Sequence, residues 1–287
     1  MIVPGSSSQA LSAALAAETG LPLATPTYDR FPDGETLASV PEFDADHAVV
    51  VAATPSNDAY VELLQLQDAV RVAGAESVTT VLPYMGYTRQ DKAFKDGQPV
   101  SARAMAQAVS TGTDRVAIVN PHEPDIAEFF DVPCETIDAA DRLAEPLPDD
   151  LAEPLFLAPD EGAVGLVDSV RDGYGRGETD FFEKTRDLDT GDVEVTPSDA
   201  PVADRDVVVA DDIIATGSTM SDAVEVLLSR GAARVFVACV HPLLVGNAFT
   251  KLSRAGIDGV YGTDTVERSV SAVTVAPAIV EAVEAGE

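Results

Sequence analysis

The sequence is poor in positive charge. Its 287 residues hold 18 Lys and Arg against 49 Asp and Glu, a formal net charge of −31, and lysine occurs only at positions 92, 95, 184 and 251. The acids are spread along the chain, with no acidic tail. Such a surface excludes general nucleic-acid binding, which needs a basic face. It resembles the dispersed acidity of proteins from salt-loving organisms, where salt screens a self-repulsion that opposes the compact state; an ordinary acidic protein is the plainer alternative. Cysteine is also scarce. Cys134 and Cys239 lie in apolar-leaning segments without CxxC spacing, which reads as two buried thiols in a reducing cytoplasm, not a disulfide or metal pair. No run of about 18 apolar residues occurs, so no membrane span is expected. The first twenty residues lack a positive n-region and a long apolar core, and read as strand, loop and helix, not a signal peptide. A cytoplasmic protein is expected. There is no GxxxxGK[ST] string, so a bound nucleotide is not held by a Walker loop.

What is present is an alternation. Apolar, β-branched runs at 47–53, 77–84, 115–120, 154–160, 206–212 and 234–240 read as buried strands, and helix-like segments at 58–73, 101–111, 162–171 and 218–231 lie between them. That order predicts an α/β fold with mainly parallel sheets flanked by helices. There is an internal repeat: residues 48–84 line up with 206–242, each a valine strand, a polar loop, a helix ending in Gly-Ala and a second strand. Two similar domains are therefore expected, 1–143 and 144–287, joined at the acidic, proline-bearing "DRLAEPLPDDLAEP". The glycine-rich "DGYGRGE" (172–178) has no strand before it in the right phase and reads as a mobile loop, not a nucleotide fingerprint.

The chemistry concentrates in "VVVADDIIATGSTM", residues 207–220. A strand leads into Ala215, Thr216, Gly217, Ser218 and Thr219 and then into a helix. Backbone N–H groups and hydroxyls at a helix N-terminus bind phosphate without lysine. Asp211 and Asp212 just before them cannot favour a bare phosphate; they suit sugar hydroxyls or a divalent cation. A phosphate with vicinal hydroxyls nearby, as in a phosphoribosyl group, satisfies both halves. The plain alternative is a capped helix after a core strand with its carboxylates in solvent. A second concentration lies at 84–103, where Arg89, Lys92, Lys95 and Arg103 face only Asp91 and Asp96. Arg89 and Lys184 are the stronger phosphate-facing candidates, while Lys95 and Arg103 are equally readable as surface charges. His122 follows a strand end, where active-site residues gather in parallel sheets.

The 207–220 stretch resembles the phosphoribosyl-diphosphate (PRPP) loop shared by type I phosphoribosyltransferases and ribose-phosphate diphosphokinases, the PRPP synthetases. Other segments point to the synthetases. "YDRFPDGE" (28–35) resembles their nucleotide loop, with Phe31, Asp33 and Glu35 at matching positions. "LPYMGYTRQDKAFKDGQPVSARAMAQ" (82–107) resembles their Arg-Gln-Asp segment, making Arg89 and Gln90 the ATP-phosphate and adenine contacts. "NPHEPDIAEFFDVP" (120–133) brings His122 as a ligand of magnesium with ATP, and "LAPDEGAVG" (157–165) brings Asp160 as a magnesium-linked carboxylate. "FFEKTRD" (181–187) resembles the catalytic flexible-loop region, with Lys184 and Arg186 as its cations. The resemblance implies two phosphoribosyltransferase type I-like domains, the first binding nucleotide and the second binding ribose 5-phosphate. It implies transfer of the β,γ-diphosphoryl group of MgATP to the 1-hydroxyl of ribose 5-phosphate, giving PRPP and AMP. It also implies Mg2+ as cofactor and a homodimer or higher homo-oligomer with a shared active site, without nucleic acid or membrane. Ala215 stands where some members carry aspartate, and Ser218 where many have glycine; "EKTR" with a short following loop looks archaeal, which puts the usual phosphate and ADP regulation in doubt. A transferase that consumes PRPP and a non-catalytic regulatory homologue are the alternatives.

Dispersed acidity also makes a physical prediction. Between about 0.1 and 1 M KCl the Debye length falls from about 10 to 3 Å, so the melting temperature should rise steeply over that range. A flat melting temperature in a salt titration would remove the halophile reading.

Overall fold

The computed structural model describes residues 1–186, 193–197 and 200–285. The chain divides into two compact units: Met1–Asp138 with Asp264–Glu267 and Thr274–Glu287, and Ala139–Thr263 with Arg268–Val273.

In the first unit β1 (Ile2–Pro4), β4 (His47–Val51), β5 (Ser77–Leu82), β6 (Arg115–Val119) and β7 (Cys134–Ile137) form one parallel sheet in that order. Between them run α1 (Gln9–Thr19), α2 (Asn57–Val72) and α3 (Ser101–Ser110). The α2 residues Tyr60, Leu63, Leu66 and Val70 recur at helical spacing and are buried, so the helix seals one face of the sheet. A separate antiparallel hairpin, β2 (Thr27–Arg30) with β3 (Thr36–Ser39), is tied to α2 through Gln65, which accepts from the Ala38 N–H at 2.8 Å and donates to the Thr36 carbonyl at 2.8 Å.

The sequence reading ran the second domain to residue 287. In the structure the C-terminal helix, α7 (Ala276–Ala285), belongs to the first unit and packs against α1. The contacts that hold it there are distant in sequence. Val275, Ala276 and Ile279 are fully buried. The N-cap residue of α1, Ser8, makes no side-chain cap bond, and the Glu267 carboxylate accepts the Ala10 and Leu11 N–H groups at 2.7 and 3.2 Å instead. A negative group there satisfies orphan donors and the helix dipole together.

The second unit is a seven-stranded sheet: β10 (Val193–Pro197), β9 (Glu178–Arg186), β8 (Leu155–Ala158), β11 (Asp206–Ile213), β12 (Arg234–His241), β13 (Gly259–Thr263) and β14 (Ser271–Val273) in spatial order, parallel except for β10. Its helices are α4 (Val164–Tyr174), α5 (Ser218–Ser229) and α6 (Ala248–Ala255). The expected repeat is visible in both sheets as β4–α2–β5 and β11–α5–β12. The two helices end alike, on Gly74 (φ 109°) and Gly231 (φ 88°), with the following alanine N–H bonding back to Val70 and Leu227 carbonyls at 3.0 and 3.1 Å. "DGYGRGE" is not a free loop: Gly175 (φ 83°) ends α4, and Gly177 (φ 119°) enters β9, where a Cβ would meet the Phe156 ring at 2.8 Å.

Residues 206–210 of β11 are all buried, and the strand's entry is pinned by charge. Asp206 pairs in register with Arg234 of β12, accepts from its guanidinium at 2.6 and 3.0 Å, and takes the Ala152 N–H at 2.6 Å. Burial resists ionisation of Asp206, but these donors outweigh it and hold the carboxyl below its usual range. A depressed folded value contributes stability above the unfolded value of about 3.9 and loses it as pH falls through the folded one. Its side chain is 2% exposed, so Asp206→Ala should cost about 2–4 kcal/mol at pH 7, toward the low side for a broken buried pair because Arg234 keeps some solvent. The gap from wild type should narrow below about pH 4. Denaturant unfolding at the two pH values, at fixed high salt, checks both.

Candidate active site

Strand β11 delivers Asp211 and Asp212 to its C-terminal end, and the chain then turns at Gly217 (φ 72°) into α5. Glycine is required there twice over: the backbone is left-handed, and a Cβ would lie 3.2 Å from the Ala248 carbonyl. The turn supplies no side-chain cap. Ser221 is the first residue of this segment whose N–H has a partner, the Gly217 carbonyl at 2.9 Å; among the described residues the N–H groups of 215–220 have none. Thr216, Ser218 and Thr219 are exposed beside them. In the first repeat the equivalent helix behaves differently, because Ser56 caps α2 by accepting the Ala59 N–H at 3.2 Å. The second repeat leaves its donors open, which is what an anion needs.

The two carboxylates sit at the rim of this cradle. Asp211 accepts the Asp212 N–H at 3.0 Å, and Asp212 accepts the Ile213 N–H at 2.8 Å. Burial, then the Asp212 charge, with Asp160 adding to it, pushes the Asp211 carboxyl well above its usual range. Asp160 lies just past β8, the strand beside β11. Beneath Asp211 its register partner Cys239 is fully buried and raised by burial and by that carboxylate, so it is a neutral thiol. Both cysteines are free, and Cys134 is half-buried and pushed up to about 12 by burial and Glu135. Among the described residues no group of three or more His, Cys, Asp and Glu is arranged to hold a metal. The raised Asp211 nonetheless marks a place where Asp212 and Asp160 crowd a third carboxylate. Such a donor set fits magnesium, which uses one or two carboxylates with waters and substrate phosphates.

The first unit holds the other expected residues. Phe31 to Glu35 form the tip of the β2–β3 hairpin. Phe31 is 46% exposed, Gly34 has φ 97°, and Asp33 accepts the Glu35 N–H at 3.1 Å, so Asp33 shapes the turn while Phe31 and Glu35 project. After β5, Gly86 passes so close to Thr54 that a Cβ would lie 2.5 Å from its carbonyl oxygen. The chain then turns through Tyr87, which has φ 64°, is 44% exposed and donates to Asn57 at 2.5 Å. Arg89, Lys95 and Arg103 are exposed, and their side chains make no ion pair or hydrogen bond among the described residues; Lys92 lies 3.7 Å from Asp91. Gln90 is engaged: its amide donates to Pro99 at 3.3 Å and accepts from Ser101 at 2.6 Å, fixing the start of α3. His122 is exposed just past β6, after Asn120 (φ 36°) and Pro121. The backbones of Lys184 and Arg186 lie in β9, paired with Val195 and Val193 of β10; their side chains lie outside the described residues.

Two residues escaped the sequence reading. Tyr87 is marked by its backbone and exposure, which no sequence pattern carries. Lys251 stands on α6, and its ammonium donates to Ser218 Oγ at 2.8 Å. Its only signal in the sequence was rarity, as the fourth lysine of the chain.

A parallel sheet whose central strand ends in two aspartates and an open helix N-terminus is the phosphoribosyltransferase architecture. A family model for the phosphoribosyl transferase domain matches residues 134–267, and one for the N-terminal domain of ribose phosphate pyrophosphokinase matches residues 1–112. A ribose-phosphate pyrophosphokinase of Halobacterium salinarum is 60% identical, over 98% of this chain and 100% of that protein. One from Methanosarcina mazei is 42% identical, over 98% and 94%. The crystal structure of phosphoribosylpyrophosphate synthetase from Mycobacterium smegmatis matches with a TM-score of 0.83 at 27% identity, covering 100% of this chain and 98% of that one. The chain belongs to the ribose-phosphate pyrophosphokinase family. Its reaction is the synthesis of PRPP, with the β,γ-diphosphoryl group of ATP passing to the 1-hydroxyl of ribose 5-phosphate and AMP leaving.

Proposed function

We propose that the second unit holds ribose 5-phosphate and the first holds the nucleotide. The observation that carries this is the row of open N–H groups at 215–220 directly after two carboxylates. The sugar phosphate sits on Thr216, Gly217, Ser218 and Thr219, with the Ala215 N–H at the edge. Asp211 and Asp212 hold the ribose hydroxyls, directly or through magnesium. Phe31 stacks on adenine, Glu35 and Gln90 border it, and Asp33 keeps the hairpin tip in shape. Arg89 meets the phosphates, supported by the exposed cations of the 89–103 segment.

His122 and Asp160 are the proposed magnesium donors. The chemistry that a bound magnesium supplies is neutralisation of phosphate charge. Lys184 and Arg186 stabilise charge developing on the transferred group, the usual source of rate in phosphoryl transfer. We assign no general base.

The exposed Phe31 supports a homodimer or higher oligomer in which this hairpin enters a neighbouring subunit's site. The acidic surface supports a salt-rich cytoplasm as the working environment; among the described residues no helix is long and apolar enough to cross a membrane.

A hydrogen bond to a charged group contributes about 1.5–3 kcal/mol. Asp212→Ala is therefore expected to raise KM for ribose 5-phosphate about tenfold or more while moving KM for ATP less than about twofold. Steady-state kinetics with each substrate varied in turn make the test. Equal losses for both substrates in a variant that melts like wild type would assign Asp212 a general structural role.

A further inference from the structure

We infer that Lys251 is a further substrate-binding residue, closing the phosphate cradle with a side-chain cation that hydrogen-bonds to it. The inference rests on the reading of residues 215–220 as the ribose 5-phosphate loop, and adds a residue that neither the loop's sequence nor its resemblance contains.

The geometry is built, not incidental. The segment before α6 is clamped to the loop by two backbone bonds, Leu244 N–H to the Ile214 carbonyl and Val245 N–H to the Ala215 carbonyl, both at 2.9 Å. The helix then begins at Ala248 against Gly217, in the close approach that a Cβ would crowd. These contacts fix the Lys251 backbone relative to the cradle, and its Nζ reaches Ser218 Oγ at 2.8 Å. Ser218 is the first residue of α5 and one of those whose N–H is open. An ammonium carries three donors; Ser218 takes one, and Lys251 makes no ion pair among the described residues.

Charge gives the reason for a cation here. Asp211 and Asp212 stand at the same strand end and repel a phosphate dianion, in a chain of net charge −31 with four lysines in all. Open N–H dipoles hold the oxygens in place. A flexible ammonium at the rim offsets the carboxylates and draws the anion past them. A lysine with a purely structural task would be spent on a single exposed hydroxyl, which contributes little to stability.

The test uses the full-length protein at one fixed KCl concentration and compares Lys251→Ala, Lys251→Arg and Thr219→Val with wild type. Affinity for ribose 5-phosphate is measured by calorimetry without ATP, and KM for both substrates by AMP release. Lys251→Ala is expected to weaken ribose 5-phosphate about tenfold or more, as loss of a charge-assisted contact does. It should leave KM for ATP within about twofold and the melting temperature within about 2 °C, and Lys251→Arg should recover most of the affinity. Thr219→Val separates the two levels of the argument. If it weakens ribose 5-phosphate and Lys251→Ala does not, the role of Lys251 is overturned and the loop reading stands. If neither variant changes ribose 5-phosphate binding, the loop reading falls and the inference with it. If Lys251→Ala weakens both substrates alike and arginine restores neither, the lysine is structural and the inference is overturned.

Discussion

A strongly acidic chain that binds a sugar phosphate must make one place attractive to anions without changing its surface elsewhere. The row of open backbone N–H groups at 215–220 meets that constraint. Backbone dipoles add no formal charge, need no lysine, and are aimed by the same turn that starts α5. The rest of the second unit serves that turn. Gly217 permits the left-handed backbone, Ala248 packs against it, and β11 sets its height above the sheet. Because Gly217 brings no capping side chain, the donors stay free, whereas Ser56 closes its own helix in the first repeat. One capping residue separates a closed helix N-terminus from an open one on the same local framework.

The sheet carries the remaining precision. Asp206 and Arg234 face each other where β11 and β12 begin, and five residues later the same register places Asp211 beside Cys239. A one-residue slip between these strands would set Asp211 against a different partner and part Asp206 from Arg234. The buried ion pair at one end and the crowded carboxylates at the other are two parts of one strand: the first fixes its position, and the second gathers negative charge beside the loop. In the first unit the exposed cations Arg89, Lys92, Lys95 and Arg103 gather along one segment, whose base is fixed by Gly86 and Gln90; of the four only Lys92 has an ion-pair partner among the described residues, Asp91.

Much of this was legible in the residues themselves. The six apolar strands and four helices fall within a few residues of their expected places, because buried parallel strands and amphipathic helices leave strong local patterns. The string "ADDIIATGST" showed in advance a strand end, a tight turn and a helix start without a capping side chain. What failed to show depended on contacts distant in sequence. Lys251 lies 33 positions from Ser218, and nothing local tells a lysine on α6 that reaches this loop from a solvated one. The C-terminal helix joins the first unit because Glu267 caps α1, a bond spanning 257 positions. The glycines of 172–178 looked like a loose loop, since sequence alone does not show that Gly177 must pass the Phe156 ring. Gln90 reads as a ligand by its neighbours, yet its amide also holds the start of α3. The segment bearing Phe31 was read as a loop by resemblance and not as a hairpin, because its two strands are only four residues long and carry no alternating pattern.

The account turns on which atoms hold the sugar phosphate. A crystal structure of the protein with ribose 5-phosphate tests that directly. It should place the phosphate oxygens within hydrogen-bond distance of the backbone N–H groups of residues 216–219, with the ribose hydroxyls toward Asp211 and Asp212. A phosphate seated instead among Arg89, Lys92 and Arg103, with the 215–220 donors facing only water, would contradict it.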